Sequence, residues 1–153
     1  MQAVYIEAHG GPEVLTFGER PEPQVQAGEV KIRVKATALN RLDLYTRDGG
    51  RGLEREFPPP LILGGDCAGE VAECGDGVAG FKPGDRVVVN PRLSCMQCAP
   101  CLAGQDDLCR GSRFLGTAID GSYAEFISIP ATNAHLLADS VSFEQAAAAP
   151  TTY

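Results

Sequence analysis

The residues of this chain best suited to chemistry are four cysteines, Cys95, Cys98, Cys101 and Cys109. The pattern Cys-x2-Cys-x2-Cys-x7-Cys places four potential thiolates within fifteen residues, so backbone turns can aim every sulfur at one point. Four soft, charged ligands suit a tetrahedral zinc ion, and a shell closed by protein ligands leaves no position for a substrate. The expectation is a structural metal. The same ligands also suit an iron–sulfur cluster, and a redox dithiol or paired disulfides are the remaining readings. A thioredoxin-type dithiol belongs at a strand-to-helix junction, whereas residues 92–112 lack helical periodicity. This loop is too poor in apolar residues to hold itself, so metal binding would supply its folding free energy. Cys67 and Cys74 lie apart from the group and read as small buried hydrophobes.

A second motif is misleading. Gly75-Asp-Gly77-Val-Ala-Gly80 fits the dinucleotide pattern G-x-G-x-x-G, which works only where a strand leads into a helix that offers its N–H groups to a pyrophosphate. Here Phe81-Lys-Pro-Gly84 follows at once and stops any helix. The glycines read as a turn between strands, so this segment is not expected to hold a nicotinamide dinucleotide. No G-x-S-x-G, P-loop or H-E-x-x-H occurs, and His9 and His135 are expected in surface or hydrogen-bonded structural roles.

The elements that position these groups are mostly short strands. A hairpin is expected from Ala3–Ala8 and Val14–Phe17 around the turn His9–Pro12. Val30, Ile32, Val34 and Ala36 alternate with Lys31, Arg33 and Lys35, the period of two that buries one face and wets the other. Asn40–Asp48 reads as a helix of one or two turns, with Leu39, Leu42 and Tyr45 at helical spacing. A loop with Pro58–Pro60 leads into the apolar run Leu61–Leu63, followed by strands at Ala68–Glu73, Asp85–Val89, Ser122–Pro130 and Ala134–Ala138. Ser142-Phe-Glu-Gln145 has capping-box spacing and opens an alanine helix. The Pro-Thr-Thr-Tyr that follows reads as the approach to a further domain. Seven or eight short strands with few helices predict a mainly β fold, a barrel or sandwich.

Composition agrees with that class. The chain has 153 residues, 44% hydrophobic and 22% charged, which is ordinary globular usage and one domain, 1–153. Eighteen glycines and eleven prolines favour turns and short strands over long helices. A net charge of −7 disfavours nucleic acid and anionic membrane as partners, because phosphates are met mainly by basic groups. Residues 1–9 do not read as a signal peptide, and no apolar run reaches the roughly 20 residues of a membrane helix. A cytoplasmic location is expected.

Gly64-Gly-Asp66-Cys-Ala-Gly69-Glu-Val71, Lys82-Pro-Gly-Asp-Arg-Val87, the cysteine loop and Gly121-Ser-Tyr-Ala-Glu125, taken in that order, resemble the medium-chain dehydrogenase/reductase superfamily. The likeness is to its zinc-containing alcohol dehydrogenases and quinone oxidoreductases. It implies a GroES-like β-barrel, the N-terminal catalytic domain, followed in the family by a Rossmann domain that binds NAD or NADP. Against the zinc alcohol dehydrogenase pattern, the first metal-ligating Cys becomes Asn40, the His of Gly-His-Glu becomes Gly65, the Glu becomes Asp66 and the third ligand position falls on Ala147. The hydroxyl of the alcohol proton relay falls on Leu42. No imidazole or thiolate remains at these positions. The oxygens of Asn40, Asp43 and Asp66 could form only a weak site.

That loss bears on the reaction. Alcohol oxidation needs a Lewis acid or strong base to stabilise alkoxide, whereas a quinone or conjugated carbonyl delocalises incoming charge and needs only hydrogen-bond donors. The resemblance implies Asn40 and Tyr45 as groups that position a substrate oxygen, Asp43 as the organiser of the cleft, Arg47 as a further candidate, and Thr151 as a cofactor contact. Asp66 is expected to be buried and hydrogen-bonded. The implied activity is NAD(P)H-dependent reduction of a small quinone or activated carbonyl, with a structural zinc and no catalytic one, in a dimer or tetramer. A zinc-type alcohol dehydrogenase with a non-standard site and a freestanding zinc-stabilised module remain the alternatives.

Overall fold

The computed structural model describes residues 1–57 and 59–152. Pro58, in the expected proline loop, and Tyr153 lie outside them. Ten strands form among the described residues, with three short α-helices and a few 3-10 turns. In chain order these are β1 (Gln2–Ile6), β2 (Thr16–Glu19), β3 (Glu29–Thr37), α1 (Arg41–Asp48), β4 (Leu61–Ile62), β5 (Cys67–Cys74), β6 (Arg86–Val89), β7 (Arg92–Leu93), α2 (Ala99–Leu102), β8 (Arg113–Phe114), β9 (Phe126–Pro130), β10 (Ala134–Leu136) and α3 (Phe143–Ala147).

The main sheet has the order β10-β6-β5-β3-β9, antiparallel throughout. The alternation in β3 places Val30 and Ile32 inside, against Val71, Val87, Ile127 and Ile129. The β3–β5 pairing is broken by irregularities at Lys31/Ile32 and Val34/Ala36, and bulges of this kind bend a sheet towards closure. Gly69 allows the two backbones to meet there, since a Cβ at this position would overlap the Arg33 carbonyl oxygen. A second sheet, β2-β1-β4, lies beside it and carries Ile6 and Leu61 to a separate small core with Leu63. The result is the curled, barrel-like sheet expected.

Several boundaries differ from the sequence reading. β1 ends at Ile6, and the returning strand begins at Thr16, because a 3-10 turn at Pro12–Val14 takes up the residues between. Residues 122–125 are not strand: Ser122 and Tyr123 spend their N–H groups on the carbonyls of Gly64 and Leu63. The cysteine loop does contain a helical turn, α2. In α1 the expected apolar positions Leu42 and Tyr45 are only half-buried. Leu39 is 82% exposed and Leu44 47% exposed, while the buried positions are Asp43 and Thr46. The Gly75–Gly80 segment connects β5 to β6 as a turn, with positive φ at Gly77 and Gly80. Cys67 is fully buried in the main core.

Candidate functional site

Two polar regions stand out. The first is the lobe between β7 and β8, whose strands pair at its base, Arg92 with Phe114 and Leu93 with Arg113. Cys98 caps the single turn α2, with Pro100 in its first turn, and a 3-10 turn at Asp106–Leu108 leads back to Cys109. These turns gather the Sγ atoms of Cys95, Cys98, Cys101 and Cys109 within 4.8 Å of one another. Tetrahedral zinc–thiolate bonds of about 2.3 Å would set the sulfurs about 3.8 Å apart, and Cys95 and Cys101 stand at 4.0 Å. Backbone N–H groups of Gln97 and Cys98 draw the Cys95 thiol down to about 6, while burial and neighbouring thiols push Cys101 up to about 12. A dication among the sulfurs would favour the thiolate at all four. Apolar packing does not organise the lobe, since Met96, Leu102 and Leu108 are all exposed. Among the described residues this is the one group of three or more His, Cys, Asp or Glu side chains gathered tightly enough for a metal. The four cysteines fit a structural zinc.

The second region centres on Asp66, in the segment between β4 and β5 and entirely buried. Its Oδ1 accepts the Thr151 hydroxyl at 2.7 Å, and its Oδ2 accepts the Thr151 N–H at 3.1 Å and the Asn40 Nδ2 at 3.0 Å. Its main-chain oxygen accepts the hydroxyls of Thr37 at 2.7 Å and Ser122 at 3.1 Å. One residue thus ties together the end of β3, the start of α1, the Gly121–Tyr123 segment and the chain beyond α3.

Asn40 is the N-cap residue of α1. Asp43 Oδ2 accepts its backbone N–H at 2.7 Å and the Tyr123 hydroxyl at 2.8 Å. Burial holds the Asp43 carboxyl above the ordinary carboxylate range, against the pull of those two donors. Burial and the Asp43 charge also push the Tyr123 hydroxyl up, which keeps it a donor.

The structure therefore brings Asn40, Asp43 and Thr151 together around Asp66. Tyr45 stands apart, with the Arg51 guanidinium 4.4 Å over its ring. Arg47 is taken up by the Gly10 carbonyl and Asp48. His9 is structural, its Nδ1 donating to the Thr46 carbonyl and its Nε2 accepting the Arg55 N–H at 2.9 Å. His135 is exposed. Sequence reasoning gave no role to Thr37, Ser122 or Tyr123 individually. Their only signal was the Gly121-Ser-Tyr motif, quoted as part of a pattern.

Comparison with known proteins is decisive at this point. Residues 26–139 match the alcohol dehydrogenase GroES-like domain. The chain belongs to that family, the N-terminal domain type of medium-chain dehydrogenases/reductases. It is 34% identical over 124 residues to an L-threonine 3-dehydrogenase of Shewanella sp. strain ANA-3, covering 81% of this chain and 36% of that protein. The L-threonine 3-dehydrogenase of Francisella tularensis is 35% identical over 131 residues, 86% of this chain and 37% of its own. Among solved structures, an NAD-dependent alcohol dehydrogenase superposes with a TM-score of 0.93 at 46% identity, over 98% of this chain and 43% of its own. A cobalt- and zinc-bound thermostable alcohol dehydrogenase from Pyrobaculum aerophilum gives 0.88 at 36%, over 98% and 44%. This GroES-like domain spans less than half the length of each of these relatives. No helix among its described residues is long and apolar enough to cross a membrane.

Proposed function

We propose that this chain is the substrate-binding catalytic domain of an NAD(P)-dependent oxidoreductase. In this reading Cys95, Cys98, Cys101 and Cys109 hold a zinc ion that braces the lobe, and the cleft reduces a small quinone or activated carbonyl. The observation that carries the reading is the constellation Asn40–Asp66–Thr151. Asn40 stands where the zinc alcohol dehydrogenase pattern has its first thiolate, Asp66 where it has glutamate and Gly65 where it has imidazole, and the constellation offers an amide, a hydroxyl and a carboxylate already engaged by three donors. Such a set is a poor match for zinc.

A bound nicotinamide would supply hydride. The side chains of this domain decide what surrounds the substrate oxygen. Asp66 Oδ2 accepts from the Asn40 Nδ2, which fixes the amide with its NH2 group inward and spends one of its hydrogens. The second hydrogen is a donor for the oxygen on which charge develops, and a donor held in place before reaction needs no reorganisation. Asp43 acts through Asn40, whose backbone N–H it holds, and is a positioning residue. Thr151, locked through both N–H and hydroxyl, gives the cofactor side a fixed group. Tyr45 has no part in this arrangement.

Alcohol oxidation by the same cleft is the second reading, favoured by the names of the relatives. Metal analysis and turnover by the protein carrying this chain separate the two. One zinc per chain, with NAD(P)H-dependent loss of a quinone or enone and slow alcohol oxidation, is the expected result. A second metal that Asn40→Ala removes, with alcohols as the better substrates, would replace the reductase reading with the dehydrogenase one.

A further inference from the structure

β2 ends just before Pro21-Glu22-Pro23, because proline has no N–H to give to a ladder. Residues 20–26 are not strand, and a cavity of about 350 Å³ lies between residues 20–23, the end of β4, residues 119–121 and β9. That volume suits a small molecule. None of the lining residues belongs to the Asp66 network. The apolar part of the wall comes from Ile62 and Ile127, both buried, and from Ile119 and Phe126, both half-buried. The lining residues also carry two positive groups, the Met1 ammonium and the Arg20 guanidinium, and two carboxylates, those of Glu22 and Asp120. Two of the four are already engaged: the Met1 ammonium donates to the Arg20 carbonyl at 2.9 Å, and Glu22 pairs with Lys31 at 2.9 Å. Arg20 and Asp120 differ from these. Among the described residues no ion pair includes either of them. The Arg20 Nε is buried without a hydrogen-bond partner, and the guanidinium stands 5.1 Å over the Tyr5 ring. Asp120 accepts the Ile62 N–H on Oδ1 at 2.9 Å.

We propose that this cavity is a second small-molecule site, apart from the candidate cleft, and that it takes an apolar α-amino acid. A guanidinium left without an acceptor offers a planar fork that matches a carboxylate, so Arg20 receives the carboxylate of the ligand. Asp120 receives the ammonium, and the aliphatic side chain lies against Ile62, Ile119 and Ile127. A wall with equal numbers of positive and negative groups fits a ligand that carries one of each. A phosphate or a dicarboxylate would be opposed by both Glu22 and Asp120, and a plain amine would leave Arg20 unanswered.

The test titrates L-leucine into the zinc-loaded protein carrying this chain and follows the methyl NMR signals of Ile62, Ile119 and Ile127. Leucine is expected to shift all three. Isocaproate, which lacks the ammonium, and isoamylamine, which lacks the carboxylate, should each bind about tenfold or more weakly, since each leaves one charged group of the site unpaired. Arg20→Gln should weaken leucine by about tenfold or more without weakening isoamylamine. Asp120→Asn, which keeps an oxygen for the Ile62 N–H, should weaken leucine to a similar extent without weakening isocaproate. Asn40→Ala, in the separate cleft, should leave leucine within about twofold. Leucine binding that Asn40→Ala abolishes and Arg20→Gln leaves intact would put the amino acid in the Asp66 cleft and overturn the inference. So would isocaproate binding as tightly as leucine, or isoleucine methyl signals that leucine does not move.

Discussion

The cysteine lobe and the Asp66 network solve the same problem in opposite ways. Both are polar, both are built from loops, and both join distant stretches of backbone. The lobe gathers four like groups whose thiolates repel one another, and it leaves Leu102 76% exposed and Leu108 57% exposed. Against that, the lobe has the β7–β8 pair, local turn hydrogen bonds and the Ser94 hydroxyl on the Asp106 carbonyl. The network instead matches donors to acceptors: Asp66 accepts from Asn40, Thr151, Thr37 and Ser122, and Asp43 accepts from Asn40 and Tyr123. On the proposed reading, a metal supplies order in the lobe, whereas order around Asp66 comes from the chain itself. If the Asp66 region receives substrate as proposed, it is complete before one arrives.

The largest expected effect follows from that contrast. Structural zinc in finger peptides contributes roughly 10–16 kcal/mol of binding free energy, most of it folding free energy. Stripping the metal with a strong chelator, or replacing Cys109 with Ser, should unfold residues 92–112. Hydrogen exchange read segment by segment should show protection lost there and kept in β3 and β5, whose core residues come from the main sheet. Protection in the lobe that survives chelation would mean the sulfurs are not its organiser, and the comparison would fail.

The two regions also differed in how far the sequence revealed them. Metal ligands close together in the chain announce themselves, because spacing alone limits where four sulfurs can go. The alternation in β3 and the Ser142 capping box were legible for the same reason, each being local, and the structure shows both halves of that box. The Asp66 contacts join residues 26 and 85 positions apart, a separation no local pattern records. The helix α1 shows why local reasoning failed there. Leucines at helical spacing imply an apolar face turned inward, but this helix docks on the Asp43–Tyr123 pair and on His9. Its buried positions are therefore polar, Leu44 faces outward and Leu42 is only half-buried.

Removing the Asp66 carboxylate should give the next largest change. Asp66→Ala leaves the Asn40 amide and both Thr151 donors without their acceptor in a buried place. Hydrogen bonds to charged groups are worth about 1.5–3 kcal/mol each, and part of that returns through water. A loss of about 3 kcal/mol in urea unfolding is expected, with the cysteine lobe intact by its metal content. Asp66→Asn should recover part of the stability while misorienting Asn40, since the new amide carries donors of its own. If the alanine variant is as stable as the parent, Asp66 is not what completes the cleft floor.

The smallest effect tests the far end of the same network, through pH. Burial raises the Asp43 carboxyl above its unfolded value, the Asp66 charge pushes the same way, and the Asn40 N–H and Tyr123 hydroxyl oppose them. The folded chain therefore holds the Asp43 proton to higher pH than the unfolded chain, whose carboxyl titrates near about 3.9. Between those two points the native state binds more protons, so this contribution to stability is full below the unfolded value and is lost as pH rises through the folded one. Tyr123→Phe removes a donor that favours the ionised form. It should cost about 1 kcal/mol at neutral pH and shift the decline to higher pH. Asp43→Asn has no carboxyl to titrate and should abolish this component of the pH dependence. Urea midpoints measured upward from about pH 4 decide it: parallel curves for the parent and Tyr123→Phe would show that the hydroxyl does not reach Asp43, and that this end of the floor is held by packing.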